Sequence, residues 1–119
     1  MLKQISGAGI LGDTTSAAIE TPFETVPLDF TITATYPNPF NSSVTIQFEM
    51  YREEDISIRV FDLLGQEVRT LLSGKIILGK HTISWDGVDN GGKKVSSGIY
   101  FYRLTSEQGI RTRKLVVLK

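Results

Sequence analysis

At 119 residues without a cysteine, the chain is long enough to bury one core but not two, and it can form neither a disulfide nor a thiolate-metal site. Its 13 Lys and Arg balance 13 Asp and Glu, so no global charge draws it to nucleic acid or acidic lipid. No apolar run approaches the roughly 20 residues that span a bilayer, which argues against membrane insertion.

The start, "MLKQISGAGILGDTTS", lacks a continuous apolar segment of signal-peptide length, and the chain reads as a piece of something longer. Residues 1–27 are rich in Gly, Ala, Ser and Thr, hold no sustained period and contain Pro22 and Pro27; they are expected to be a flexible linker or the end of a preceding domain. From Leu28 the pattern changes. Leu28, Phe30, Ile32 and Ala34 alternate with polar residues as a first strand with one buried face. Val44, Ile46 and Phe48 mark a second, and Ile56, Ile58 and Val60 a third. "DLLG", Asp62 to Gly65, has the aspartate and glycine of a type I turn and should close a hairpin onto "QEVRTLL".

Gly79 introduces "HTISW", in which His81, Ile83 and Trp85 share one face. "DGVDNGGKKVSSG" is dense in turn-forming residues and reads as a loop. "IYFYRLTS" and "IRTRKLVVLK" follow as a hairpin joined through Glu107-Gln108-Gly109. The last strand breaks its own alternation: both parities turn apolar at Leu115, which calls for a bulge near Lys114 or for a strand covered on both faces. With no helical stripe, about seven short strands over residues 28–119 make an all-β chain, an antiparallel sandwich of immunoglobulin-like type. A small Greek-key barrel is the alternative, and the strand order is not legible.

"YPNPFN", residues 36–41, holds two of the chain's four prolines. Each proline excludes its predecessor from the α region and lacks an amide hydrogen, so regular pairing should stop there. The hexapeptide is expected to be a preformed crossover from one sheet to the other, clamped to the core by Tyr36 and Phe40.

Little in the sequence carries reaction chemistry. His81 is the only histidine and shares its face with Ile83 and Trp85, which makes it a structural residue rather than a base. Asp86, Asp89 and Asn90 are candidate calcium ligands in the glycine-rich loop, but their spacing does not match an EF-hand, and turn formation is the simpler reading. Arg111, Arg113, Lys114 and Lys119 form a basic stretch with no acid after Glu107; it would guard an edge strand or dock an acidic partner. No enzyme and no cofactor is implied.

"YPNPFNSSVTIQF", "ISIRVFDLLGQEVRTL", "GKHTISWDGVDNGGKKVSSGIYFYRL" and the terminal "RKLVVLK" together resemble the type A C-terminal sorting domain of the type IX secretion system, over Tyr36 to Lys119. The Trp-Asp-Gly loop followed by Ser-Gly-x-Tyr is also similar to the Ig-like domain of flagellar hook-capping proteins. The resemblance implies a non-catalytic signal that takes an upstream cargo domain through the periplasm to an outer-membrane translocon. It also implies removal by a sortase-like peptidase on delivery to the cell surface, with the cut in the linker. By motif, the recognition residues it implies are Pro37, Asn38, Pro39 and Phe40, then Gly98 and Tyr100, then Arg113, Lys114, Val117 and Lys119. An exposed last strand would then pair with a partner's edge, or weakly with a second copy. Two other readings stand beside it: a structural assembly module of the hook-cap kind, and a sugar- or calcium-binding accessory module.

Overall fold

A computed structural model of the chain describes residues 29–119, so the linker expected over 1–27, and Leu28 with it, lie outside the described residues. The alternating segments all become strands: β1 (Phe30–Tyr36), β2 (Val44–Met50), β3 (Glu54–Phe61), β4 (Glu67–Ile76), β5 (Gly79–Trp85), β6 (Gly98–Thr105) and β7 (Ile110–Val117). They form two antiparallel sheets, a three-stranded one in the order β1-β2-β5 and a four-stranded one in the order β4-β3-β6-β7. The inward parity of each sheet is where the apolar residues fall. Val44, Ile46 and Phe48 of β2 are buried with Ile58 and Val60 of β3, Tyr102 and Leu104 of β6 and Leu115 of β7. Face-to-face packing of two such faces is the sandwich that the alternation implies.

Turn chemistry behaves as its residues dictate. At the β3–β4 hairpin, Gly65 N–H bonds Asp62 C=O at 3.0 Å, and Asp62 Oδ1 accepts from the amides of Leu64 (2.9 Å) and Gln66 (3.0 Å). Gly65 has φ +83°, a conformation open to glycine at little cost. The β6–β7 hairpin closes with Ser106 N–H on Gly109 C=O at 2.9 Å.

Four expectations fail. Ile32 pairs with Phe48 but Ala34 pairs with Gln47, so Thr33 is an extra residue and the strand changes face there. Ala34 therefore turns away from the core and Thr35 turns in, where its hydroxyl hydrogen-bonds Tyr102 Oη. Tyr36 consequently does not clamp the core: it is exposed, and its hydroxyl accepts from Gln47 Nε2 at 3.1 Å. The hexapeptide 36–41 is not a crossover either, because the strands it joins, β1 and β2, are neighbours in one sheet. The sheet changes occur after β2, after β4 and after β5. Finally, β7 pairs with β6 in unbroken register from Ile110 to Val117. It has no bulge, and it is not covered on both faces: Leu115 and Val117 enter the core, while Val116 is half-buried and Leu118 exposed.

Tyr102 carries a pH dependence. Burial raises its pKa above the ordinary tyrosine value, with the Thr35 hydrogen bond and the nearby Arg113 charge pulling the other way. The fold thus favours the neutral phenol. That stabilisation is whole below the unfolded tyrosine's pKa of about 10 and drains away as pH rises from there through the folded value. Unfolding free energies measured at pH 9 and pH 11 should fall more for the native chain than for Tyr102→Phe; equal slopes would show that the phenol does not titrate against folding.

At the pole where the described chain begins, half-exposed Arg52 meets three carboxylates: Asp29 at 4.0 Å, Glu54 at 3.6 Å and Glu107 at 3.9 Å. Asp29 and Glu54 are buried, and Ser106 Oγ and Glu107 N–H supply hydrogen bonds at 2.9 and 3.2 Å to their other oxygens. Partner removal would leave buried charge uncompensated, so this cluster holds the start of β1, the β2–β3 crossing and the β6–β7 turn together.

Candidate functional site

The opposite pole gathers the motifs that stand far apart in sequence. Pro37 and Pro39 bracket Asn38, so the main chain there offers no N–H on either side of it. The Asn38 side chain takes over the ladder instead. Its Nδ2 donates to Lys114 C=O at 2.9 Å and its Oδ1 accepts from Val116 N–H at 3.0 Å, as a backbone amide of a parallel strand would do. One step on, the main chain resumes: Phe40 N–H donates to Val116 C=O (3.0 Å) and Phe40 C=O accepts from Leu118 N–H (2.8 Å), a parallel bridge to Val117. The segment 38–40 is therefore a short strand surrogate clasped to the outer edge of β7. The Asn38–Pro39 peptide in it is cis, as is Tyr36–Pro37 just before it.

Aromatic packing holds the clasp down. The buried Phe40 ring meets Trp85 edge-on at 5.6 Å, and Trp85 meets Tyr100 edge-on at 5.8 Å. Trp85 Nε1 donates to Val88 C=O at 2.9 Å and Tyr100 Oη to Ser96 C=O at 2.9 Å, which ties both rings to the long loop. Gly87, at φ +75°, lies under the Phe40 ring, where an added Cβ would come within 3.9 Å of it. Gly98, at φ +151°, opens β6 opposite Val117, and Val117 is buried beside the clasp.

The edge of β7 is thus covered from Lys114 to Leu118 by the chain itself, which corrects the expectation of an exposed terminal strand awaiting a partner. Along Ile110–Arg113 no strand pairs with that edge among the described residues. There Arg111 and Arg113 fold back, their guanidiniums donating to the Ile110 and Thr112 carbonyls at 3.2 and 3.4 Å. Charge at an open edge discourages strand addition. Lys114 and Lys119 are exposed.

At the other edge of the four-stranded sheet, Asn90 covers β4 between Val68 and Thr70 in a related way, with a main-chain donor and a side-chain acceptor. Asn90 N–H donates to Val68 C=O at 2.9 Å and Asn90 Oδ1 accepts from Thr70 N–H at 3.0 Å. Asp89 Oδ1 accepts from the Gly91 and Lys93 amides, both at 2.9 Å. These two calcium candidates are therefore occupied in shaping the loop, Asp86 is exposed beside it, and among the described residues no three His, Cys, Asp or Glu side chains gather as a metal site. His81 stacks on Phe48 at 5.4 Å, with Nε2 2.8 Å from Ile77 C=O. Sequence reasoning missed Trp85 and Gly87 as parts of this pole; the available signal was the Trp-Asp-Gly triplet, whose aromatic had no assigned neighbour.

The clasp makes a direct prediction. Asn38→Ala frees Lys114 C=O and Val116 N–H to water and should cost about 1–2 kcal/mol, read from the urea midpoint. Asn38→Asp keeps the acceptor but loses the donor and sets a carboxylate against the Lys114 carbonyl, so it should cost at least as much. An unchanged midpoint for Asp would refute the donor role.

Over residues 34–118 the chain matches the family described as secretion system C-terminal sorting domain. No curated protein matches it. Among solved structures it is similar to dimeric latent PorU from Porphyromonas gingivalis, with 24% identity and a TM-score of 0.60 over 71% of this chain and 9% of that one. It is similar also to PorZ, a surface component of the type-IX secretion system of the same bacterium, with 21% identity and a TM-score of 0.49 over 72% of this chain and 11% of PorZ. FlgD from Xanthomonas campestris, a hook-capping protein, shares 19% identity and a TM-score of 0.51 over 73% of this chain and 64% of its own. The chain thus spans about a tenth of PorU and PorZ, and these likenesses are of fold.

Proposed function

The chain belongs to the secretion system C-terminal sorting domain family, and from that premise we propose that it is the folded export label of a larger type IX cargo protein, recognised by the outer-membrane translocon. Residues 28–119 are the label and residues 1–27 the linker, in which a sortase-like peptidase cuts after the cargo has crossed the periplasm and reached the cell surface. The label is non-catalytic, as its family is.

The observation that supports this reading most is the clasp. Pro37 to Phe40 and Lys114 to Leu118 stand at the two ends of the family match, and they are bonded to each other through Asn38 and Phe40. Roles divide accordingly. Pro37, Asn38, Pro39, Phe40, Gly98, Tyr100 and Val117 build and hold the terminal strand, and the exposed Arg113, Lys114 and Lys119 are the side chains that a receptor reads. Because both ends take part, the label is legible only when folded, and its recognition runs through side chains rather than through strand addition.

The test is a periplasm-directed fluorescent reporter fused to residues 20–119, expressed in a bacterium with the type IX system and in a translocon-deficient strain. Surface reporter that has lost the domain, in the intact strain alone, is the expected result. Full-length periplasmic reporter in both strains would overturn the reading and turn attention to a structural module of the hook-cap kind.

A further inference from the structure

Four of the large apolar side chains left on the surface collect at the clasp pole: Leu63 (66% exposed), Leu64 (85%), Ile99 (38%) and Leu118 (49%). Leu63, Leu64 and Ile99 line one shallow concavity between the β3–β4 turn and the start of β6. Ile99 pairs with Val116 across β6 and β7, which puts both on the outer face of the sheet, and Leu118 continues that parity beyond the strand. These residues form a continuous apolar strip across the turn, β6 and β7.

Nothing in the fold asks for them. The hydrogen-bonding needs of the β3–β4 turn are met by Asp62 and the φ of Gly65, and its two central positions are ones where polar residues are usual. The core takes Leu115 and Val117, from the other parity of β7. A contiguous exposed apolar patch with a polar rim is the mark of an interaction surface. On the β7 side its rim is cationic: Lys114, on the same face as Val116, and Lys119 are both exposed.

We propose that this strip is the face on which the label docks, and that its occupant is a protein surface with an apolar ridge flanked by carboxylates. The proposal rests on the sorting reading above and adds Leu63, Leu64 and Ile99 to the side chains being read. Apolar contact supplies the affinity, and the lysines orient the encounter.

The experiment fuses the full chain to the same periplasmic reporter and compares three double variants. Leu63→Ser with Leu64→Ser should reduce surface reporter about tenfold or more, the scale of losing two central contacts. Its urea midpoint should stay near that of the native chain, because both side chains are already in water. Ile77→Ser with Leu78→Ser, also well exposed at 63% and 64% but in the β4–β5 connection at the far pole, should be delivered like the native chain. Lys114→Glu with Lys119→Glu should lower delivery several-fold.

Native-level delivery of the Leu63/Leu64 variant, or an equal loss for the Ile77/Leu78 variant, would overturn the proposal. So would a native dimer, seen by sedimentation, that the Leu63/Leu64 variant splits, since the strip would then belong to a second copy. Failure of the native fusion would instead overturn the sorting reading itself, and the docking face with it.

Discussion

Phe40→Ala should lower stability by about 3–5 kcal/mol, seen as a fall in the urea midpoint at unchanged slope. The ring is 3% exposed and fills the space between Trp85 and Gly87, so its removal leaves a cavity that neither the edge-on indole nor a positive-φ glycine can close without moving the loop. For a domain of this size the loss is a large fraction of a net stability of about 5–15 kcal/mol. The damage should also be uneven. Val116 N–H and Leu118 N–H bond the 38–40 segment, whereas the β3 amides belong to the sheet interior. Hydrogen exchange should therefore quicken at Val116 and Leu118 well before it does at Ile58 or Val60. A midpoint within about 1 kcal/mol of native, with those two amides still protected, would show that the ring does not hold the clasp.

Deletion of residues 115–119 should have the larger effect still: no cooperative unfolding transition and no surface delivery. The five residues include Leu115, fully buried, and Val117, 2% exposed, and they carry three of the four groups that bond Asn38 and Phe40. Loss of two buried aliphatic side chains alone costs about 4 kcal/mol or more. Because deletion strikes folding and recognition together, it must be read beside Lys114→Ala with Lys119→Ala, which removes only exposed charge. That pair should keep the native midpoint while lowering delivery. A deleted chain that still unfolds cooperatively near the native midpoint would contradict the clasp as a structural element, whatever its delivery.

Much of the site was visible before any tertiary information, but as separate pieces. The prolines around Asn38 announced an interruption of strand pairing, and the interruption is there. What they hid is that an asparagine carboxamide carries the same donor and acceptor as a peptide group, so a side chain can continue a ladder that the main chain leaves. At Asn90, where only the side-chain oxygen joins the ladder, this role was masked by the ordinary reading of Asn as a turn residue. Alternation likewise placed Phe30, Ile46, Ile58 and Val60 in the core, but carried Ala34 inward and Thr35 outward, because one inserted residue at Thr33 reverses every later parity and leaves no mark in composition.

The amino-acid sequence by itself determined the all-β class, the seven strands, their hairpin turns and most of the buried faces, since a period of two and the preferences of Gly, Asp and Asn in turns are local properties. It also carried the family resemblance, through motifs that are likewise contiguous. Only the tertiary structure decided which strands are neighbours, that residues 38–40 close the edge of β7, and that Leu63, Leu64, Ile99 and Leu118 share one surface. Those are contacts between segments up to 78 positions apart, such as Asn38 with Val116. Their partners are selected by the shape and hydrogen bonding of the packed sandwich, which no single stretch of the chain contains.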